Sequence, residues 1–182
     1  MSVEETPIAG LVIIQPRLFE DARGYFFESY NQHEFEQMVG HVVFVQDNES
    51  RSSYGVMRGL HYQRPPFTQA KLVRVIEGEV LDVVLDLRKD SPTYGQHFSV
   101  VLSGNNHTQL FIPKGFAHGF AVLSRTALFQ YKCDEFYHPE ADAGIQAVDS
   151  ELAIDWHLDI DTAIRSDKDV ILPRFSDICP AL

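Results

Sequence analysis

Cysteine is scarce in this chain. Only Cys133 and Cys179 occur in 182 residues, far apart and in no metal-like spacing. That excludes a disulfide scaffold and a thiolate metal site, and it predicts two free thiols in a reducing cytoplasm. Positive charge is scarce too: 15 Lys+Arg stand against 26 Asp+Glu, a net charge of −11. Such a balance argues against nucleic acid and against an anionic membrane surface as partners. No apolar run approaches the roughly 18 residues that a membrane helix needs. The opening MSVEETPIAG has neither the basic nor the apolar region of a secretory signal, so a cytoplasmic protein is expected. Repeats, low-complexity tracts and linkers are also missing. What remains is one domain, residues 1–182, with a sizeable single core.

What the chain does have is short β-type runs broken by Gly, Pro and Asn. LVIIQP, GYFFESY, HVVFVQ, KLVRVIEGEVLDVVLDLR, HFSVVL, TQLFIP, HGFAVL and TALFQYKC follow one another. Glu77-Gly78 reads as the turn of a hairpin. After it, Leu81, Val83, Leu85 and Leu87 alternate with Asp82 and Asp86, which predicts one buried and one partly polar face. One helix is signalled, capped by Asn31 with Glu34 three residues on and closed by Gly40; SDKDVILPRF suggests short helical turns. Many short strands and few helices predict an all-β sandwich or barrel. The Cys…Trp…Cys framework of an immunoglobulin domain is missing, which favours a cupin-type jelly roll.

Against the acidic background one window stands out: SRSSYGVMRGLHYQRPPFTQAKLVRVI, Ser50 to Ile76. It holds Arg51, Arg58, Arg64, Lys71 and Arg74, no acidic residue, and His61 at its centre. A local cationic pocket on an acidic protein suits a small anionic ligand. Period 2 places Lys71 with Val73 and Val75, His118 with Phe120 and Val122, and Tyr131 with Ala127 and Phe129. If the apolar partners face the barrel interior, these three polar groups point into its mouth, where a ligand site is expected.

The usual cupin metal site needs a His-x-His pair, a Glu and a further His. GLHYQ supplies only His61, and His118 stands alone in its strand, so no metal is expected. The useful groups are then an acid–base set. An imidazole is suited to general-base work near neutral pH, which makes His61 the candidate base. A carboxylate orients such a base; several are available, Asp169 among them. Lys71 can stabilise an oxyanion and Tyr131 can donate a proton from another side. Together they suit proton abstraction beside a carbonyl, and inversion in particular needs two groups on opposite faces. Arg23, among aromatics in DARGYFFESY, adds a phosphate or ring contact. Singly, each of these residues has an ordinary structural role, as a bonded core histidine, an amphipathic tyrosine or a snorkelling lysine.

The longer words then carry a resemblance. DARGYFFESYN, FVQDN, MRGLHYQRPPFTQAKLVRVIEGEVLDVVLDLRKDSPTYGQ, FIPKGFAHGFAVLS, YKCDEFYHPE and SDKD come in order and spacing similar to the dTDP-4-dehydrorhamnose 3,5-epimerase family, from about Ile8 to about Pro173. The resemblance implies a cupin-type jelly roll acting as a homodimer without metal or organic cofactor. It implies epimerisation of a dTDP-4-keto-6-deoxyhexose, dTDP-4-dehydro-6-deoxy-D-glucose, at C3 and C5, giving dTDP-4-dehydro-L-rhamnose for cell-surface sugars. On the family's pattern His61 is the base, Asp169 its partner, Tyr131 the acid and Lys71 the group beside the sugar carbonyl. The nucleotide site falls on Arg23, Phe26, Glu28, Gln46, Asp47, Asn48, Arg58, His118 and Lys168, with Tyr137 stacking on the thymine.

The chain departs from the pattern near its C-terminal third. Asp142 stands where the family usually has Glu, Ala147-Val148 where it has Trp-Asn, and His157 where it has Pro after Trp156. Asp142, counted with the substrate-binding residues, is one methylene short. Relatives that epimerise only C3 or C5, or isomerise the ketone, share much of the pattern. Two readings from other classes are a non-catalytic sugar-nucleotide-binding protein and a metal-dependent cupin isomerase.

Overall fold

The computed structural model describes residues 1–178; Cys179 lies outside them. The strands are β1 Ser2–Glu5, β2 Val12–Gln15, β3 Phe19–Asp21, β4 Gly24–Phe26, β5 Gln46–Ser53, β6 Met57–Gln63, β7 Lys71–Glu77, β8 Glu79–Asp86, β9 His97–Ser103, β10 Gln109–Ile112, β11 Phe116–Val122, β12 Thr126–Cys133 and β13 Asp142–Gly144. The helices are α1, Gln32–Met38, and α2, Asp167–Val170. Asn31 caps α1 as expected, its side chain accepting from the His33 and Glu34 amides. Ser166 caps α2 by accepting from the Asp169 amide.

Two antiparallel sheets face each other without closing into a barrel, a jelly-roll sandwich of the cupin type. One runs β1-β2-β10-β7-β12-β5 and the other β13-β6-β11-β8-β9, while β3 and β4 form a separate ribbon. The main core fills the space between the sheets. Val73, Val75, Ala127 and Phe129 from one sheet meet Val80, Val84, Phe120 and Val122 from the other. Outside the second sheet, Leu81, Val83 and Leu85 pack on a C-terminal cover that includes Leu152 and Trp156. Outside the first, α1 lays Phe35 over Ile14, Leu72 and Phe111.

Two expectations need correction. Glu77-Gly78 is not a hairpin turn: β7 and β8 belong to different sheets, and the chain changes sheet there. A Cβ on Gly78 would sit 2.0 Å from the Thr126 carbonyl, so the corner is too tight for any side chain. The other face of β8 is partly polar as expected, Val80 and Val84 alternating with Asp82 and Asp86. Asp82 and Asp86 are 0% exposed and point between the sheets. Asp86 is a structural knot: burial opposes its charge, but bonds from Arg88, Thr93 and Ser91 outweigh that and hold its pKa near about 2. Finally, HVVFVQ is not a strand. Val42 and Phe44 pack under α1, and the ladder begins only at Gln46, running through the polar QDNESRSS.

Candidate active site

On three strands the inward-facing series runs from apolar to polar. Val75, Val73, Lys71 on β7, Val122, Phe120, His118 on β11, and Ala127, Phe129, Tyr131 on β12 each leave the core and end at one cavity. The cavity is about 250 Å³ and is also lined by Asn48, Arg58 and His61. Its two long walls belong to different sheets. His61, Arg58 and His118 stand on one, Lys71 and Tyr131 on the other.

Strict alternation along β6 would put Arg58 and His61, three residues apart, on opposite faces. A bulge reconciles them. His118 pairs with His61 and Phe120 with Arg58, so Gly59 and Leu60 together oppose Gly119. Met57 and Leu60 then share the outer core while Arg58 and His61 share the cavity. The crossing is possible only without side chains: Gly59 has φ +113° and a Cβ there would lie 2.6 Å from the Gly119 Cα.

His61 Nε2 lies 2.6 Å from Asp169 Oδ1. Burial works against the Asp169 charge, but the His61 bond and charge, the Gly59 amide and the Ser166 hydroxyl more than offset it, so its pKa is lowered. The carboxylate therefore accepts from Nε2–H, which assigns the tautomer and leaves Nδ1 as the lone pair for a substrate proton. Across the cavity, burial and Cys133 raise the Tyr131 pKa against the opposing effect of Arg58, so the phenol keeps its proton. Lys71 Nζ lies 5.7 Å from the Tyr131 ring centroid. Burial lowers the Lys71 pKa, and Cys133, Asp82 and Asp142 act the other way. Cys133 is a buried free thiol.

At the rim, Asp142 accepts from Lys168 and, at 3.1 Å, from the Tyr137 hydroxyl. Gln46 Oε1 accepts from the Tyr137 amide, and its Nε2 donates to Asn48. The shortened Asp142 thus reaches both rim groups. Arg58 Nε donates to Ser52 at 3.2 Å. Asp47, on the other face of β5, pairs with Lys132 and turns away from the cavity. Arg23, Phe26 and Glu28 do not line the cavity of their own chain. Arg23 pairs with Asp21 on the exposed β3–β4 ribbon, Phe26 is 67% exposed beside Phe19, and Glu28 accepts from Asn31.

Sequence reasoning missed Glu49 and Ser50 in the lining, and the role of Asp82 beneath His118. The signal for Asp82 was present as a carboxylate in the middle of the apolar run Val80 to Leu85. Among the described residues no three His, Cys, Asp or Glu side chains converge as metal ligands. No described helix is long and apolar enough to cross a membrane. The arrangement is an imidazole on one wall, a protonated phenol on the other, and the Lys71 amine beside the phenol. That set can remove a proton next to a carbonyl, hold the enolate and return the proton to the opposite face.

Residues 5–177 match the family model described as dTDP-4-dehydrorhamnose 3,5-epimerase. The chain is 54% identical over 157 residues to the dTDP-4-dehydrorhamnose 3,5-epimerase of Escherichia coli, covering 86% of this chain and 85% of that one. The enzyme of the same name from Pseudomonas aeruginosa is 51% identical, covering 97% of each. Among solved structures, a dTDP-6-deoxy-D-glucose-3,5-epimerase from Legionella pneumophila in complex with dTDP-4-keto-L-rhamnose superposes with a TM-score of 0.94. It is 49% identical and the match covers 98% of this chain and 94% of that chain.

Proposed function

Because this chain belongs to the dTDP-4-dehydrorhamnose 3,5-epimerase family, we propose that it inverts C3 and C5 of dTDP-4-dehydro-6-deoxy-D-glucose, giving dTDP-4-dehydro-L-rhamnose. The observation that carries the reading is the placement of the His61–Asp169 pair and Tyr131 on opposing walls, with Lys71 between the sheets beside Tyr131. In this reading His61 Nδ1 takes the proton from the carbon flanking the C4 ketone. The ketone oxygen becomes an enolate oxyanion, which the Lys71 ammonium stabilises. Tyr131 then delivers a proton to the other face of that carbon, and both groups are reset by proton exchange with water. Both carbons flank one ketone, so one apparatus serves both centres once the ring reorients. The chemistry uses side chains alone.

Arg58 and Lys168 supply the positive charge for the pyrophosphate, and the exposed ring of Tyr137 the stacking surface for the base. Arg23 and Phe26 fit the same task only from a second copy. Their ribbon projects Phe19, Tyr25 and Phe26, each more than half exposed, away from its own cavity. A homodimer in which each ribbon covers the partner's cavity would bury those aromatics and add a guanidinium to the pyrophosphate. The acidic, cysteine-poor chain suits a cytoplasmic enzyme.

Proton NMR of the keto sugar with enzyme in D2O tests the reaction. Deuterium is expected at both C3 and C5; label at one carbon alone would make the protein a mono-epimerase, and label at neither would contradict the reading. Arg58→Ala tests the nucleotide site. It should weaken dTDP binding about tenfold or more, the scale of a lost charged hydrogen bond. Turnover at saturation should change less, because a phosphate clamp acts in ground and transition states alike. Titration calorimetry with dTDP reads the first and initial rates the second.

A further inference from the structure

Tyr137 presents a ring that is 53% exposed. A ring so open ordinarily samples several rotamers, and a ligand that uses it must meet the cost of ordering it. Here the backbone and the hydroxyl of Tyr137 are both tied. The peptide group between Phe136 and Tyr137 accepts from Gln63 Nε2 at 3.0 Å and donates its N–H to Gln46 Oε1 at 3.0 Å. The peptide group between Tyr137 and His138 donates its N–H to Gln63 Oε1 at 2.6 Å. Each peptide group is planar, so holding both planes sets φ and ψ of the residue between them. The direction of the Tyr137 side chain follows. Its hydroxyl, donated to Asp142 at 3.1 Å, then limits the rotation of the ring.

Gln63 is the side chain common to both planes. It is buried, and its amide has one consistent orientation: Nε2 faces the carbonyls of Phe67, at 2.8 Å, and Phe136, while Oε1 faces the His138 N–H. It stands two residues beyond His61 on β6, opposite Asp142 in the ladder with β13. One strand thus carries the imidazole and the support of the Tyr137 ring at a fixed spacing. The loop itself is anchored by other groups. Gln69 Nε2 donates to the Glu135 carbonyl at 2.8 Å, and the Phe67 and His138 rings stack with centroids 3.7 Å apart. Gln63 adds the orientation of residue 137.

We infer that Gln63 is a positioning residue for nucleotide recognition: its buried amide holds both peptide planes around Tyr137, so the ring is set for the nucleobase before the ligand arrives. This role rests on the reading of Tyr137 as the stacking surface. Gln63 acts through that ring and not on the ligand.

A double-mutant cycle of Gln63→Met and Tyr137→Ala, read by titration calorimetry with dTDP, is the test. Methionine keeps the length of the side chain and removes its donors and its acceptor. Tyr137→Ala should weaken dTDP binding about tenfold, the scale of one base–aromatic stack. Gln63→Met should weaken it about fivefold or more when Tyr137 is present, but less than about twofold beside Tyr137→Ala, where no ring is left to position. A Gln63 that only supports the fold lowers Tm and changes dTDP affinity by the same factor, or not at all, in both backgrounds; either result overturns the inference. Unchanged affinity in Tyr137→Ala would instead defeat the stacking reading itself. Amide hydrogen exchange of the wild type does not depend on the variant folding. In the nucleotide-free protein the Tyr137 and His138 amides should exchange at least about tenfold more slowly than in an unstructured peptide. Exchange at the unstructured rate, with protection gained only on adding dTDP, would mean that the ligand orders the ring, and it overturns the inference.

Discussion

His61→Asn is expected to slow epimerisation by at least about 10²-fold, the lower end for loss of a general base, while dTDP affinity stays within about threefold. Asparagine overlays the Nδ1 edge of the ring and stops short of the Nε2 position, so Asp169 loses that donor but keeps the Gly59 amide and Ser166 as partners. What disappears is the ring nitrogen proposed to take the proton. The residues proposed to hold dTDP are untouched, so its binding is expected to survive. Rates and calorimetry on the same preparation check both halves. Turnover near that of the wild type would remove His61 from the mechanism.

Much of this site was legible in the sequence because three strands obey a simple rule. On β7, β11 and β12, alternation places a polar residue two positions beyond a core residue, and the polar residue must then stand at the end of the core. Lys71, His118 and Tyr131 follow directly. The strand bearing Arg58 and His61 breaks the rule, because the Gly59–Leu60 bulge shifts the register, and no local pattern announces a bulge beyond the glycine itself. β5 was unreadable for a different reason. It is an edge strand with one face on a polar cavity and the other toward solvent, so the apolar alternation that marks a strand is missing from QDNESRSS. The hydrophobic run just before it, HVVFV, drew attention because side-chain burial under α1 and ladder formation both select Val and Phe. The sheet change at Gly78 looked like a hairpin because both are sharp turns at glycine between two strands. Which strand pairs with which is decided by contacts far away in the chain. The same limit holds for Asp169, one of several candidate carboxylates until α2 places it 2.6 Å from His61. Arg23 and Phe26 carry family words yet stand outside their own cavity, a separation that no one-chain pattern can express.

The other large effect is expected from Tyr131→Phe, and its value lies in a ratio. The substitution removes one hydroxyl and keeps the ring, so packing against Phe129 should persist. Proton removal by His61 still has its base and its oxyanion partner, Lys71. The enolate still forms, but the wall opposite His61 no longer offers an acid. Reprotonation then falls mostly to His61, on the face the proton left. With the keto sugar in D2O, deuterium exchange at C3 or C5 should stay within about tenfold of the wild type, while inversion drops by about 10²-fold or more. A residue that merely bound substrate would depress exchange and inversion together. The exchange-to-inversion ratio of Tyr131→Phe, read by proton NMR in D2O, is therefore the most direct measurement of the claim that two walls act on two faces. A ratio raised at least about tenfold is the expected result; equal loss of both, or full retention of both, would contradict it.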